Sequence, residues 1–449
     1  MNFDRPGWFG SYLEFRRAEP LPATLPTAGV RLFEQEGLHH EQDQAIYLFL
    51  QPTGLLYGFP VAAPIAEQVY PEQGYLGEIG RVHLIWLDGL FTCLMADRAY
   101  LLSGLRTDAD PFTHAVRAAS AYFLGDAPAP REGLAGAWQQ ARSAVERLTR
   151  GSKRVQYPAL EREISRRIRS GGDLLHVPQY AYNGFLFLDL YYCAAWQRAL
   201  LREPAQRHEK RSELREQQGQ VREALLQLLI AAAHASGDVD ESEKRVFERF
   251  LVSAGLPQER VLRLRDEMRA GLTLDRIHIP DAPWLVRRHL LDLTLMLILA
   301  DRSFAESEQT FATELIRRLG LWEGELEQSQ VALHAFLIRN EETLHFLQAR
   351  TQVSLLAERV AARAQVMLRK NLDRIVNEVR ETRELYELLL KSRNETLTPE
   401  EKRKVRAQLF DILKTIPTLA IFALPGGSVA LPILIRLLPF NLLPTSIED

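Results

Sequence analysis

Two clusters of acidic residues, offset by 65 positions, are the part of this sequence best suited to chemistry. The first lies in 235–243 and the second in 300–308, and each follows an apolar stretch and precedes a segment that ends in Gly-Leu. Carboxylate oxygens are hard ligands that suit Ca²⁺, Mg²⁺ or Mn²⁺. The sequence therefore predicts a twofold helical repeat with divalent-cation ligands at Asp238, Asp240, Glu243, Asp301 and Glu308.

A purely structural interpretation of the same turns stays open. Asp238 and Ser303 each precede a glutamate by three positions, at Glu241 and Glu306, which is the spacing of a capping box at a helix start. The helix dipole favours an acidic first turn with or without a metal. The EF-hand pattern of alternating acids, a central Gly and a final Glu is not met.

No catalytic constellation accompanies these carboxylates. The sequence has no Walker loop, no dinucleotide-binding glycine fingerprint, no His-Glu-x-x-His and no Gly-x-Ser-x-Gly motif. Cys93 and Cys193 are isolated, which excludes Cys-x-x-Cys chemistry. Asp189 lies in an apolar run and needs an ion pair or hydrogen bonds, while His234, beside the first acidic turn, is either a packed histidine or a further ligand. We expect no enzyme.

The apolar stretch 416–443 is the most unusual part of the chain. Only Arg436 interrupts it, and it exceeds the ~20 residues that a membrane-spanning helix needs. Its prolines and glycines break a continuous helix, so a kinked span, an interfacial hairpin and a buried soluble hairpin all stay open. The basic residues before it favour a body on the cytoplasmic side. The residues that define this segment are Pro417, Pro425, Gly426, Gly427, Pro432, Arg436 and Pro439.

Long apolar periodicities separated by Gly, Pro and Asp predict an all-α, multi-domain protein. We expect an N-terminal helical domain at 1–200, a polar linker at 201–220, the acidic repeat at 221–345, and a long amphipathic helix at 350–397. An apolar C-terminal helical hairpin at 398–449 completes the chain. A heptad seam within the long helix favours either packing on its own domain or a coiled coil. Its members are Leu368, Leu372, Ile375, Val379, Tyr386 and Leu389.

The composition is that of an ordinary globular protein. Apolar residues make up 46% and charged residues 25%, and the net charge of −3 argues against a nucleic-acid partner. No secretory signal opens the sequence, and two cysteines in 449 residues indicate a reducing compartment. A protein partner is expected, and a homo-oligomer is compatible with the sequence.

The twofold acidic turn resembles the TerB-like helical domain of tellurite-resistance proteins over 221–339. In this chain Ser236 stands where the family's usual Asp-Gly has Asp, and Arg302 stands where it has Gly. The resemblance implies an all-helical domain whose acidic residues bind divalent cations.

The C-terminal stretch 400–448 resembles the membrane segment of the LETM family. The resemblance rests on Leu413-Lys-Thr-Ile-Pro417, Pro425-Gly-Gly, Leu431-Pro432, Leu438-Pro439 and Leu442-Leu-Pro-Thr-Ser446. That family implies a membrane location and a link to cation/proton exchange. Its following ribosome-binding-like domain has no counterpart before Asp449, so no ribosome contact is expected. A TerB-like middle with a LETM-like end resembles the bacterial LETM-related biofilm-associated proteins.

The leading hypothesis is a non-enzymatic, membrane-associated and cation-responsive protein of ion homeostasis, stress response or biofilm-related physiology. It would lie on the cytoplasmic side of the bacterial inner membrane, with Ca²⁺, Mg²⁺ or Mn²⁺ as its one expected cofactor. The alternative is a soluble cytoplasmic interaction scaffold without metal. A third hypothesis is a component of an ion transporter.

Overall fold

A computed structural model describes most of the helical part of the chain. The described residues are 2–3, 5–21, 41–61, 77–101, 111–125, 157–169, 182–202, 206–235, 237, 239, 241–300, 306–340, 344, 365–394, 397–415 and 419. In these ranges every regular element is helical, which confirms the all-α prediction.

The helices are numbered in chain order. Their bounds are α1 Trp8–Ala18, α2 Glu41–Leu50, α3 Gly77–Leu101, α4 Pro111–Leu124, α5 Pro158–Ile168, α6 Leu186–Arg202, α7 Arg207–Ala235, α8 Glu241–Ser253, α9 Gln258–Ala270, α10 Trp284–Ala300, α11 Glu306–Arg318, α12 Glu323–Arg339, α13 Leu372–Glu381, α14 Arg383–Asn394 and α15 Pro399–Thr415. Short 3₁₀ turns at Gln51–Thr53 and Leu55–Tyr57 extend α2.

The chain divides into two compact units. The first comprises 1–25, 58–220 and 249–255, and the second comprises 26–57, 221–248 and 256–449. The boundary at 220 falls inside α7, which continues as one helix from its polar N-terminal half into its apolar C-terminal half. The stretch predicted as a polar linker, 201–220, is therefore mostly helical, with its described part from 206 onward forming the start of α7.

The first unit is built around α3, which packs against α4, α5 and α6. The buried side chains of α3 are mostly apolar, and Trp86 among them is fully covered. The Trp86 indole N–H donates to the Leu186 carbonyl over 3.0 Å. The N-terminal helix α1 is attached by buried charges. Glu161 of α5 accepts the backbone N–H groups of Gly7 and Phe9 at the start of α1, and Arg16 pairs with Asp88 of α3. A carboxylate is favoured at a helix start because it satisfies N–H groups that have no intrahelical acceptor.

Most of the acidic repeat lies in the second unit, while its residues 249–255 belong to the first. The helix bounds of the repeat recur with the spacing seen in the sequence. Helices end at Ala235 and Ala300, and the next helices start at Glu241 and Glu306. Both of these helices end in a left-handed glycine two residues on, Gly255 with φ +63° and Gly320 with φ +59°. Since a side chain is disfavoured at positive φ, Gly suits this position. The offset of 65 positions thus applies to backbone structure as well as to residues.

The C-terminal helices form a small bundle instead of the single long helix expected at 350–397. In 365–394 the helix is interrupted at Thr382, where ψ is 82° and the amide bonds to the Glu378 and Val379 carbonyls, which ends α13. Helix α15 packs against both α13 and α14. The heptad seam lies in this bundle's core: Leu368, Ile375, Val379 and Leu389 are buried, and Leu372 and Tyr386 pack against them. The seam is therefore covered within the chain's own unit.

Candidate functional site

Of the five predicted cation ligands, Glu243 and Glu308 lie within the described residues. Each is the third residue of its helix, α8 or α11, and each is buried, with 5% and 3% of its surface exposed. Glu241 and Glu306, the first residues of these helices, are exposed. Asp238, Asp240 and Asp301 lie outside the described residues.

The structure shifts the helix starts relative to the predicted capping box. Because the helices begin at Glu241 and Glu306, the third position, from which a glutamate can reach back to the cap, belongs to Glu243 and Glu308. The apolar face explains the shift. Val246, Phe247 and Phe250 are buried in α8, and Glu243 lies three and four positions before the first two, on the same side of the helix.

No group of three His, Cys, Asp or Glu side chains that could hold a metal ion occurs among the described residues. The two buried glutamates would each contribute one ligand, and the other predicted ligands fall outside the described ranges. His234 Nε2 lies 2.9 Å from the Met268 carbonyl oxygen. This contact favours the packed-histidine interpretation over the ligand interpretation.

A buried polar cluster that the sequence did not single out lies where α2 meets α10 and α12. Tyr47 donates its hydroxyl to Asp292 over 3.0 Å, and Ser329 donates to the other carboxylate oxygen. The Arg288 guanidinium lies 3.3 Å from Asp292 and 3.4 Å from Glu325, and all of these charged side chains are essentially inaccessible to solvent. Glu325 accepts hydrogen bonds from the Trp284 indole N–H over 2.6 Å and from the Trp322 backbone N–H over 2.9 Å.

The electrostatics of this cluster follow from its burial. Burial raises the pKa of Asp292 and outweighs the attraction of Arg288. Burial also lowers the pKa of Arg288, but Tyr47, Asp292 and Glu325 together outweigh it, so that pKa lies above its ordinary value. A charged cluster with no solvent access cannot receive a substrate. Its chemistry is to hold α2 against the repeat through charge-assisted hydrogen bonds.

The residues after α2 continue this attachment. His289 Nδ1 lies 2.8 Å from the Leu56 carbonyl oxygen, and the Tyr57 ring lies 4.6 Å from that of Phe336, centroid to centroid. Leu55, Leu56 and Tyr57 have no exposed surface. Burial lowers the pKa of His289 to about 3. Because a carbonyl only accepts, Nδ1 carries a proton, and the lowered pKa leaves the ring neutral at ordinary pH. Residues 41–57 are thus part of the core of the second repeat.

The first repeat carries the same ion pair with its charges exchanged. Arg288 and Glu325 correspond, 65 positions earlier, to Glu223 and Arg260, and these two also pair, over 2.8 Å. In the first repeat the arginine is 48% exposed, whereas in the second it is covered. Aligning the sequence on itself shows this exchange, so it is a signal that could have located the buried cluster.

The first unit contains a second buried charge network, which includes Asp189. Its carboxylate accepts from Arg167 over 2.8 Å and from Gln218 over 2.9 Å, and it has no exposed surface. The expectation that Asp189 is an ion-paired buried acid is confirmed.

Gly184, just before α6, lies so close to the Phe250 ring that a side chain at this position would collide with the ring.

The predicted membrane residues, from Pro417 to Pro439, lie outside the described residues. One residue of the apolar stretch is described: Leu419 has no exposed surface and belongs to the core of the α13–α15 bundle. Among the described helices, none is long and apolar enough to cross a membrane.

Comparison with known proteins gives one family match. Residues 157–330 match the family described as "Protein of unknown function (DUF533)", which is related to TerB-like domains. The matched region runs from the start of α5 into α12 and therefore includes both acidic turns. No curated protein and no solved structure is significantly similar to the chain. Over 157–330 the chain is thus similar to a TerB-related family whose function is not known.

Proposed function

We propose that this chain is a non-enzymatic helical protein whose acidic repeat binds a divalent cation and whose C-terminal segment brings it to a membrane. The observation that carries the proposal is the twofold recurrence of a buried glutamate, Glu243 and Glu308, directly after an acidic turn. The TerB-related family match over the same region supports it. The cation would be Ca²⁺, Mg²⁺ or Mn²⁺.

The physical argument concerns the cost of burying a carboxylate. A buried acid is stable when hydrogen-bond donors or positive charge compensate for the water it has lost. A helix N-terminus offers backbone N–H groups, and a cation bound at the turn would offer positive charge. In the cation-binding case, Glu243 and Glu308 orient toward the turn and complete the ligand set that the Asp residues begin.

Thermal melting of the full chain with and without millimolar cation, against a chelator baseline, separates the two cases. We expect the cation to raise the melting temperature of the wild type and of the variant Glu241→Gln/Glu306→Gln, whose replaced side chains are exposed. It should have no effect on Glu243→Gln/Glu308→Gln. If none of the three cations changes the wild-type melting temperature, helix capping alone explains the acidic turns.

Membrane contact is supported by the apolar stretch 416–443 and by its similarity to the LETM segment. The location would be the cytoplasmic face of the bacterial inner membrane, and the role ion homeostasis, stress response or biofilm-related physiology. Vesicle flotation of the full chain and of a chain ending before Ile416 tests this part. We expect only the full chain to float with the vesicles, and a full chain that stays at the bottom would contradict it.

A soluble interaction scaffold is the second candidate, and one observation favours it. Leu419, near the start of the apolar stretch, is fully buried among Leu409 and Leu413 of α15 and other bundle residues. If the rest of the stretch packs in the same way, its apolar surface is covered without lipid. Solubility of both chains in the flotation experiment, together with melting that ignores cations, would establish this candidate instead.

A further inference from the structure

Two arginines on adjacent turns of α7 converge on a single acceptor in the first unit. Arg211 donates from Nε and Nη2 to the Tyr122 carbonyl oxygen, over 3.1 and 2.8 Å, and Arg215 donates from Nη2 to the same oxygen over 2.9 Å. Tyr122 lies in the last turn of α4. Arginines at a helix C-terminus satisfy its exposed carbonyl groups, and here this capping holds two guanidinium groups side by side on one oxygen.

Three described carboxylates of the first unit are paired with cations other than Arg211 and Arg215. Glu163 accepts from Arg166 and Arg167, Asp189 accepts from Arg167 and Gln218, and Glu213 pairs with Lys210. No described carboxylate lies within ion-pair distance of Arg211 or Arg215. The positions three and four residues from these arginines along α7 hold no acid either: they are Arg207, His208, Ser212, Leu214, Gln218 and Gly219.

The arginines therefore form a local excess of positive charge that solvent can reach. Arg215 is exposed and Arg211 half-buried. Partial burial and then repulsion from Arg211 lower the pKa of Arg215, and the opposing influences of Tyr122 and Glu163 do not offset them. Each guanidinium has five N–H donors, and the shared carbonyl occupies two of those on Arg211 and one on Arg215. The remaining donors and the unbalanced charge are suited to an anion with several oxygens.

We propose that Arg211 and Arg215, at the C-terminal end of α4, bind an oxyanion of the phosphate class. The bound anion would bridge the two guanidinium groups from the solvent side and neutralise their mutual repulsion. This site lies in the first unit and is independent of the cation and membrane proposals.

Isothermal titration calorimetry of the full chain with inorganic phosphate, in chelator and at constant ionic strength, tests the proposal. We expect saturable binding by the wild type and by Lys210→Gln, which removes one positive charge from the same helix where it pairs with Glu213. The affinity of Arg211→Gln/Arg215→Gln should be at least tenfold weaker. Absence of saturable binding in the wild type, or equal affinity in the double variant, would overturn the site.

The double variant also removes bonds to the end of α4, so its folding needs a check. Arg211→Lys/Arg215→Lys keeps both charges but replaces the planar forks with single ammonium groups. It should retain the helical circular dichroism of the wild type and bind phosphate more weakly. Unchanged affinity in this variant would mean that general positive charge, and not this geometry, attracts phosphate, and would refute the proposal.

Discussion

His289 should make the second unit sensitive to acid, and the size of the effect follows from its burial. Its folded pKa is about 3, while an unfolded histidine titrates near 6.5. As the pH falls below 6.5, His289 binds a proton in the unfolded chain but not in the folded chain. The contribution of neutral His289 to the free energy of unfolding is therefore fully present above pH 6.5 and is lost as the pH falls toward 3. At pH 5, protonation of His289 in the unfolded chain lowers the free energy of unfolding by RT ln(1 + 10^1.5), which is about 2 kcal/mol.

Urea denaturation followed by circular dichroism at pH 7 and pH 5 measures this loss. The wild type should lose about 2 kcal/mol more than His289→Asn, because the asparagine amide can still donate to the Leu56 carbonyl but does not titrate. Other titrating groups, Asp292 among them, are common to both chains and cancel in the comparison. His278→Asn, at an exposed position of the same unit, should follow the wild type. Equal losses in the wild type and His289→Asn would refute the reasoning.

Two further predictions compare a buried position with a matched exposed one. Arg288→Met should cost about 3–5 kcal/mol of unfolding free energy because it leaves Asp292 and Glu325 buried without their cation. Arg260→Met removes the arginine of the charge-exchanged pair in the first repeat, where it is 48% exposed, and should cost under about 1 kcal/mol. Similar midpoints in urea would count against the assigned burial. Gly184→Ala should lower the free energy of unfolding by about 1–3 kcal/mol, because the added methyl group displaces the Phe250 ring. Gly219→Ala, which has open space inside α7, should raise it by up to about 1 kcal/mol. A melting temperature of Gly184→Ala equal to or above that of the wild type would contradict the close packing.

The repeat could be predicted from the sequence because its signals are local. A self-alignment reveals matching acidic turns and Gly-Leu ends, and each depends on residues within one turn of the helix boundary. The exact register of the helix starts was two residues off, since the capping-box spacing alone does not say which glutamate the apolar face will bury. Glu243 and Glu308 take that place because they align with the buried side chains that follow.

The charge exchange between the repeats marks the Arg288–Glu325 pair in the sequence, but the contact of α2 with that pair could not be predicted, because α2 joins it only in the tertiary structure. Tyr47 and Asp292 are 245 residues apart in the sequence, and nothing in the residues near Tyr47 indicates their contact. The break at Thr382 was missed for a related reason. A heptad seam fits one long helix and also the core of a bundle, and packing by α15 decides between them.

If each acidic turn of the repeat holds a divalent cation, as its buried glutamate suggests, the number of cations bound per chain tests the proposed function most directly. Calorimetric titration of the chelator-treated full chain with Mn²⁺, Ca²⁺ and Mg²⁺ should give a stoichiometry of two for at least one cation, falling to one in Glu243→Gln. Absence of saturable binding by the wild type at millimolar concentrations of all three cations would contradict the proposed function.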